Sequence, residues 1–108
     1  MIIIFHLDSF VQQALKGSLA EHGLESYLVG DDFDGENTFS ILDDLAPKLL
    51  VIDEDFWRIH PELSGFVKKS KAKTLYLTQE RSSDDFEETY QKPIEVRKLC
   101  QRLAHLVA

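Results

Sequence analysis

Residues 49–57 read LLVIDEDFW. Leu49, Leu50, Val51 and Ile52 form a continuous apolar run, the pattern of a strand covered on both faces. Asp53, Glu54 and Asp55 follow with no spacer. Carboxylates at the mouth of the most hydrophobic strand face a cation, a phosphoryl group or solvent, and the rest of the chain must choose among these.

Working outward, apolar runs alternate with helical patterns. Ile2 to Phe5 is a second strand-like run. Asp8 or Ser9 is placed to cap a helix carrying Val11, Leu15, Leu19 and His22 on one face, with Gly23 at its end. Glu25 to Val29 reads as a strand. DDFDGENTFSILDDL reads as a loop and a short helix with Phe39, Leu42 and Leu45 inward, closed by Pro47. Beyond the opening stretch, a helix is expected over 61–70 and strands over Thr74–Leu77 and Glu88–Gln91. Pro93 suits the first turn of a last helix whose Val96, Leu99, Cys100, Leu103, Leu106 and Val107 make a wide apolar stripe. This alternation implies one α/β domain spanning residues 1–108, with a doubly wound parallel sheet and right-handed crossovers.

Composition narrows the function. The 108 residues are 44% hydrophobic and 29% charged, as in a soluble domain large enough to bury a core. Twelve Lys and Arg against nineteen Asp and Glu give a net charge of −7, which argues against nucleic-acid binding. The single Cys100 fits a reducing compartment and a core position. MIIIF is too short for a signal-peptide core, and no apolar run approaches the ~20 residues of a membrane span. A cytoplasmic location is expected.

Ligands of open α/β sheets sit beyond the carboxyl ends of the strands. His6 to Asp8, Asp53 to Asp55, Thr78 with Gln79, and Lys92 follow strands one, three, four and five and should gather there. An acid, a hydroxyl and an ammonium at one place suit phosphoryl chemistry, with the aspartate as nucleophile and the other two on phosphoryl oxygens. A divalent cation held by oxygen ligands would complete the charge balance. The bland alternative is that Asp53 is a solvated strand end, Thr78 an ordinary strand-end residue and Lys92 an ordinary surface lysine.

IIIF with the following FVQQALKGSLAEHG, then PKLLVID, TLYLT and QKP, in that order, resemble the receiver domain of response regulators in two-component signalling. The resemblance runs over essentially the whole chain. It implies a flavodoxin-like sheet of order 2-1-3-4-5, Asp53 as phosphoacceptor, Thr78 as switch hydroxyl and Lys92 as phosphoryl-contacting cation. It also implies magnesium near Asp8, Asp53 and Asp55, a histidine kinase or output domain as partner, and a signalling module that is not an enzyme.

The departures from the pattern shape the expectation. Receivers carry two acids after strand one, and here stands HLD. If His6 and Leu7 fill those positions the pair is lost; if Leu7 and Asp8 do, one carboxylate remains. Magnesium should therefore bind weakly. Gln79 replaces a small residue, Trp57 replaces a proline, and Thr89 stands at the switch-aromatic position with Tyr90 beside it. Thirteen residues, Gln79 to Gln91, must hold a loop, any helix and a strand of ~5 residues. A helix of ~10–14 residues does not fit, so the fourth helix of the fold is expected shortened or missing. That loss should uncover sheet near Tyr76 and Tyr90 and favour self-association or partner docking, unless Phe86 in the 79–87 loop tucks inward. An atypical receiver with weak or lost phosphorylation at Asp53 is the favoured reading. A fully phosphorylatable receiver is the alternative.

A calcium reading fails, and a cofactor-carrier reading is the weaker alternative. A calcium loop through DDFDGE would put Gly30 and Ile41 at ligand positions one and twelve, which require oxygen ligands. A flavodoxin-like cofactor carrier needs a glycine- and hydroxyl-rich turn after strand one, and HLDSFVQQ has no glycine. The four histidines have no zinc-like spacing. His22 is expected to pack at a helix end and His6 to end its strand.

Overall fold

A computed structural model describes residues 1–80, 83 and 85–108. Its five strands are β1 (Ile2–Phe5), β2 (Ser26–Val29), β3 (Leu49–Asp53), β4 (Lys73–Thr78) and β5 (Glu88–Gln91). All pair in parallel, in the order β2-β1-β3-β4-β5. The helices are α1 (Ser9–Glu21), α2 (Gly35–Asp44), α3 (Glu54–Ile59), α4 (Leu63–Lys69) and α5 (Val96–Val107).

Strand alternation divides the core in two. Ile2, Ile4, Leu49, Val51, Leu75 and Leu77 face Leu15 and Leu19 of α1 and Leu99, Cys100 and Leu103 of α5. Ile3, Phe5, Leu50 and Ile52 face Leu42 of α2, Phe56 of α3, and Leu63 and Phe66 of α4. The apolar runs are therefore continuous because both faces of the sheet are covered. Cys100 is buried, as expected of a core thiol, and burial raises its pKa.

Asp8 is the cap of α1, and its Oδ1 accepts from the Phe10 and Val11 N–H groups at 2.9 and 3.3 Å. Leu15 and Leu19 are buried, whereas His22 is exposed, its Nδ1 2.9 Å from the Ser18 carbonyl oxygen. The expected packing role of His22 is thus corrected: at the C-cap it lies past the stripe. The acidic turn 31–34 serves the entry to α2. Asp32 accepts from the Gly30 N–H, and Asp34 accepts from the Asn37 side chain.

Three expectations change. The segment between β3 and β4 holds two short helices, α3 and α4, where one over 61–70 was expected. The break lies at His60 and Pro61, where the proline cannot donate an amide and restricts the residue before it. Pro93 is not in the first turn of α5; it follows a cis Lys92–Pro93 bond, and the helix starts at Val96. Between β4 and β5 the described residues contain no helix, in line with the shortened interval. The sheet there is nonetheless covered. Phe86 is only 8% exposed, stacks on Tyr76 at 4.4 Å between ring centroids and meets Trp57 edge-on at 5.0 Å. The premise for self-association through Tyr76 is thereby removed. The 79–87 loop includes Arg81, Ser82 and Asp84, which lie outside the described residues. No helix among the described residues is long and apolar enough to cross a membrane.

Candidate functional site

Parallel pairing brings the residues after β1, β3, β4 and β5 to one edge, and Asp53 is their centre. It is 1% exposed. One carboxylate oxygen, Oδ2, caps α3 by accepting from the Asp55 N–H at 3.0 Å. The other, Oδ1, lies 2.5 Å from Lys92 Nζ and 3.5 Å from His6 Nε2. The lysine contact is a close charge contact outside ordinary hydrogen-bond geometry, since Oδ1 accepts no regular hydrogen bond. A carboxylate this deeply buried requires a compensating cation, and Lys92, its side chain 18% exposed, supplies it. The Lys92 N–H donates to the Thr78 carbonyl at 2.8 Å, which fixes the end of β5 against the end of β4.

Thr78 is buried beside them, but its hydroxyl does not serve Asp53. It donates to Glu54 Oε2 at 2.8 Å and accepts from the Glu80 N–H at 3.2 Å. A hydroxyl has one hydrogen, so Glu54 takes the whole donor capacity. The Gln79 N–H donates to Glu54 Oε1 at 3.3 Å, and Lys92 Nζ lies 3.7 Å from the same oxygen. Partial burial raises the pKa of Glu54, but the Thr78 and Gln79 hydrogen bonds and the Lys92 and Arg58 charges outweigh it, leaving the pKa below its ordinary value.

His6 occupies the first position after β1, and Leu7 the next. The Asp8 N–H donates to His6 Nδ1 at 2.9 Å, so the ring is the tautomer whose Nε2–H faces Asp53. Burial lowers the His6 pKa; Asp53 opposes the shift, Lys92 adds to it, and Asp8 and Asp55 oppose it. Gln12 of α1 pins this turn from behind, its Nε2 donating to the His6 and Val29 carbonyls at 2.8 and 3.0 Å. Gly30 leaves room for that amide, because a Cβ there would stand 3.0 Å from Gln12 Nε2.

His6 reaches Asp53, while the Asp8 carboxylate is engaged with the helix cap. The Asp55 side chain is 60% exposed and lies 3.8 Å from Arg58. Among the described residues, no three His, Cys, Asp or Glu side chains are placed to hold a metal ion. Asp8 and Asp55 are thus engaged away from Asp53, one with the α1 cap and the other with Arg58, and the three carboxylates do not converge.

Asp53, Thr78 and Lys92, singled out from the sequence, are thus brought together. His6 and Glu54, expected at this edge but given no role in the site, are the further members. The available signal for Glu54 was its position directly after Asp53, and for His6 its place as the first polar residue after β1.

No family model and no curated protein matches the sequence. Solved structures do match the fold. The receiver domain of the TMAO respiratory system response regulator TorR superposes with a TM-score of 0.76 at 16% identity, over 98% of this chain and 94% of that one. An orphan response regulator of H. pylori gives 0.74 at 13% identity, over 100% and 97%. The receiver domain of the hybrid histidine kinase CckA gives 0.69 at 18% identity, over 99% and 98%. The chain has the receiver fold.

Proposed function

We propose that this chain is a receiver-like signalling module that acts through protein contacts rather than by catalysis. Phosphoryl transfer to Asp53 is slow or absent. The observation that carries this reading is the buried Asp53–Lys92 pair at 2.5 Å, set at the receiver fold's functional edge. The pair meets the charge requirement of the site with a residue of the chain itself. His6 and Leu7 occupy the turn where receivers carry acids, and the Thr78 hydroxyl is committed to Glu54. Its partners would be those of the signalling class the fold is known from: a histidine kinase or an output domain. Self-association is secondary, because Phe86 covers the sheet that would have driven it.

The test is intact-protein mass after incubation with an acyl phosphate, with and without magnesium, on the wild type and Asp53→Asn. The expected result is no phosphoryl adduct beyond trace on either protein. A stoichiometric adduct on the wild type that Asp53→Asn abolishes would restore the ordinary phospho-switch.

A further inference from the structure

Three groups suited to an oxyanion converge beyond β4 and β5: the Thr78 hydroxyl, the Gln79 N–H and the Lys92 ammonium. A phosphoryl group on Asp53 would need such donors, because its oxygens are acceptors only. In this molecule one carboxylate already takes the first two and stands near the third. Glu54 Oε2 takes the Thr78 hydroxyl at 2.8 Å, Oε1 takes the Gln79 N–H at 3.3 Å, and Lys92 Nζ lies 3.7 Å from Oε1. The Glu54 side chain is 13% exposed, unlike a surface glutamate sampling solvent. Its three partners come from the ends of two strands, so the contact crosses the functional edge.

We infer that the Glu54 carboxylate is a built-in occupant of the oxyanion-binding donors at this edge, standing where a phosphoryl group on Asp53 would stand. Thr78 has no second hydroxyl hydrogen to offer, and its oxygen already accepts from the Glu80 N–H. The Gln79 backbone N–H has one hydrogen, also spent. An incoming phosphoryl group must first expel Glu54, and only side-chain rotation of the residue next to Asp53 is required for that. The occupied arrangement is then the resting one. A partner that draws Glu54 away changes the edge without any phosphoryl transfer. This rests on the receiver-like reading and adds a means of regulation to it.

The test separates the two. In Asp53→Asn the neighbouring carboxylate charge is removed but Glu54 stays; in Asp53→Asn with Glu54→Ala the donors are left open. Inorganic phosphate is titrated into each while the Gln79 amide is followed by nitrogen–proton NMR. A saturable shift of Gln79 in the double variant, with none in Asp53→Asn, is expected. Equal shifts in both, or no shift in a double variant whose spectrum stays dispersed, overturn the inference. Should the double variant unfold, the wild type decides. Its Gln79 backbone amide proton should lie downfield of its position in Glu54→Gln, because a carboxylate accepts more strongly than a neutral amide oxygen. A Gln79 proton blind to Glu54 overturns the inference. Phosphoryl uptake by the wild type would instead sink the functional reading and leave these measurements standing.

Discussion

Asp53 is held by two different kinds of contact, and they make different demands. The Asp55 N–H on Oδ2 is an ordinary helix cap, whereas Lys92 on Oδ1 neutralises a charge buried away from water. Removing one member of such a pair leaves the other charge uncompensated, at a cost of about 3–5 kcal/mol for fully buried pairs. Because Lys92 keeps some water contact, Lys92→Met should destabilise by about 3 kcal/mol. Asp53→Asn leaves only a partly solvated ammonium and should cost less. In the double variant much of the Lys92→Met loss should return, which denaturant unfolding in a double-mutant cycle measures. Independent, additive losses would contradict the pairing. His6 adds a pH signature. Its folded pKa is depressed, chiefly by burial, with Asp53, Asp8 and Asp55 opposing and Lys92 assisting. The unfolded chain therefore takes up the proton first, and folding stability falls as pH drops below the ordinary 6.5. Protonation also removes the Nδ1 lone pair that accepts from Asp8. Melting temperature should decline over that window, and His6→Gln should flatten the decline; an unchanged slope would refute the assignment. Asp53, Thr78 and Lys92 were legible in the sequence because each directly follows a recognisable strand. Glu54 was not, because its role depends on a side-chain turn toward β4 that no spacing encodes.

Elements long enough to show a period were read directly. β1 and β3 are unbroken apolar runs, and α1 and α5 carry stripes over several turns. The six residues of α3 cover less than two helical turns, too few for a pattern to emerge behind three acidic residues. The β4–β5 connection shows the opposite limit. Its shortness was legible, and Phe86 was visible as a residue able to close the gap, but no spacing says whether one aromatic suffices to cover the sheet. Phe86 lies between Tyr76 and Trp57 and covers the sheet where helical residues would otherwise pack. Phe86→Ala should therefore cost about 3 kcal/mol, at the low end for a buried Phe because the site is peripheral. It should also bare Tyr76 and Trp57 and bring on concentration-dependent association. Sedimentation velocity of the wild type and the variant checks both halves. A wild type that already associates through this face would show that Phe86 does not seal it.

At the scale of the whole molecule, two apolar layers hold a parallel sheet rigidly enough that its carboxyl edge is preassembled. A switch needs two arrangements of comparable free energy and a ligand that distinguishes them. Here the charge on Asp53 is met by Lys92, and the Thr78 hydroxyl is held by Glu54. The fold is thus that of a receiver, while the edge is closed by its own side chains. With the Lys92 ammonium on Asp53, that closure needs no divalent cation. Trp57, the only tryptophan, lies four residues after Asp53 and touches Phe86, so its fluorescence reports on this edge. Magnesium titrated into the wild type and into Asp53→Asn, with ionic strength held constant, should leave emission equally unchanged in both. A saturable change in the wild type that Asp53→Asn removes would instead place a cation at Asp53.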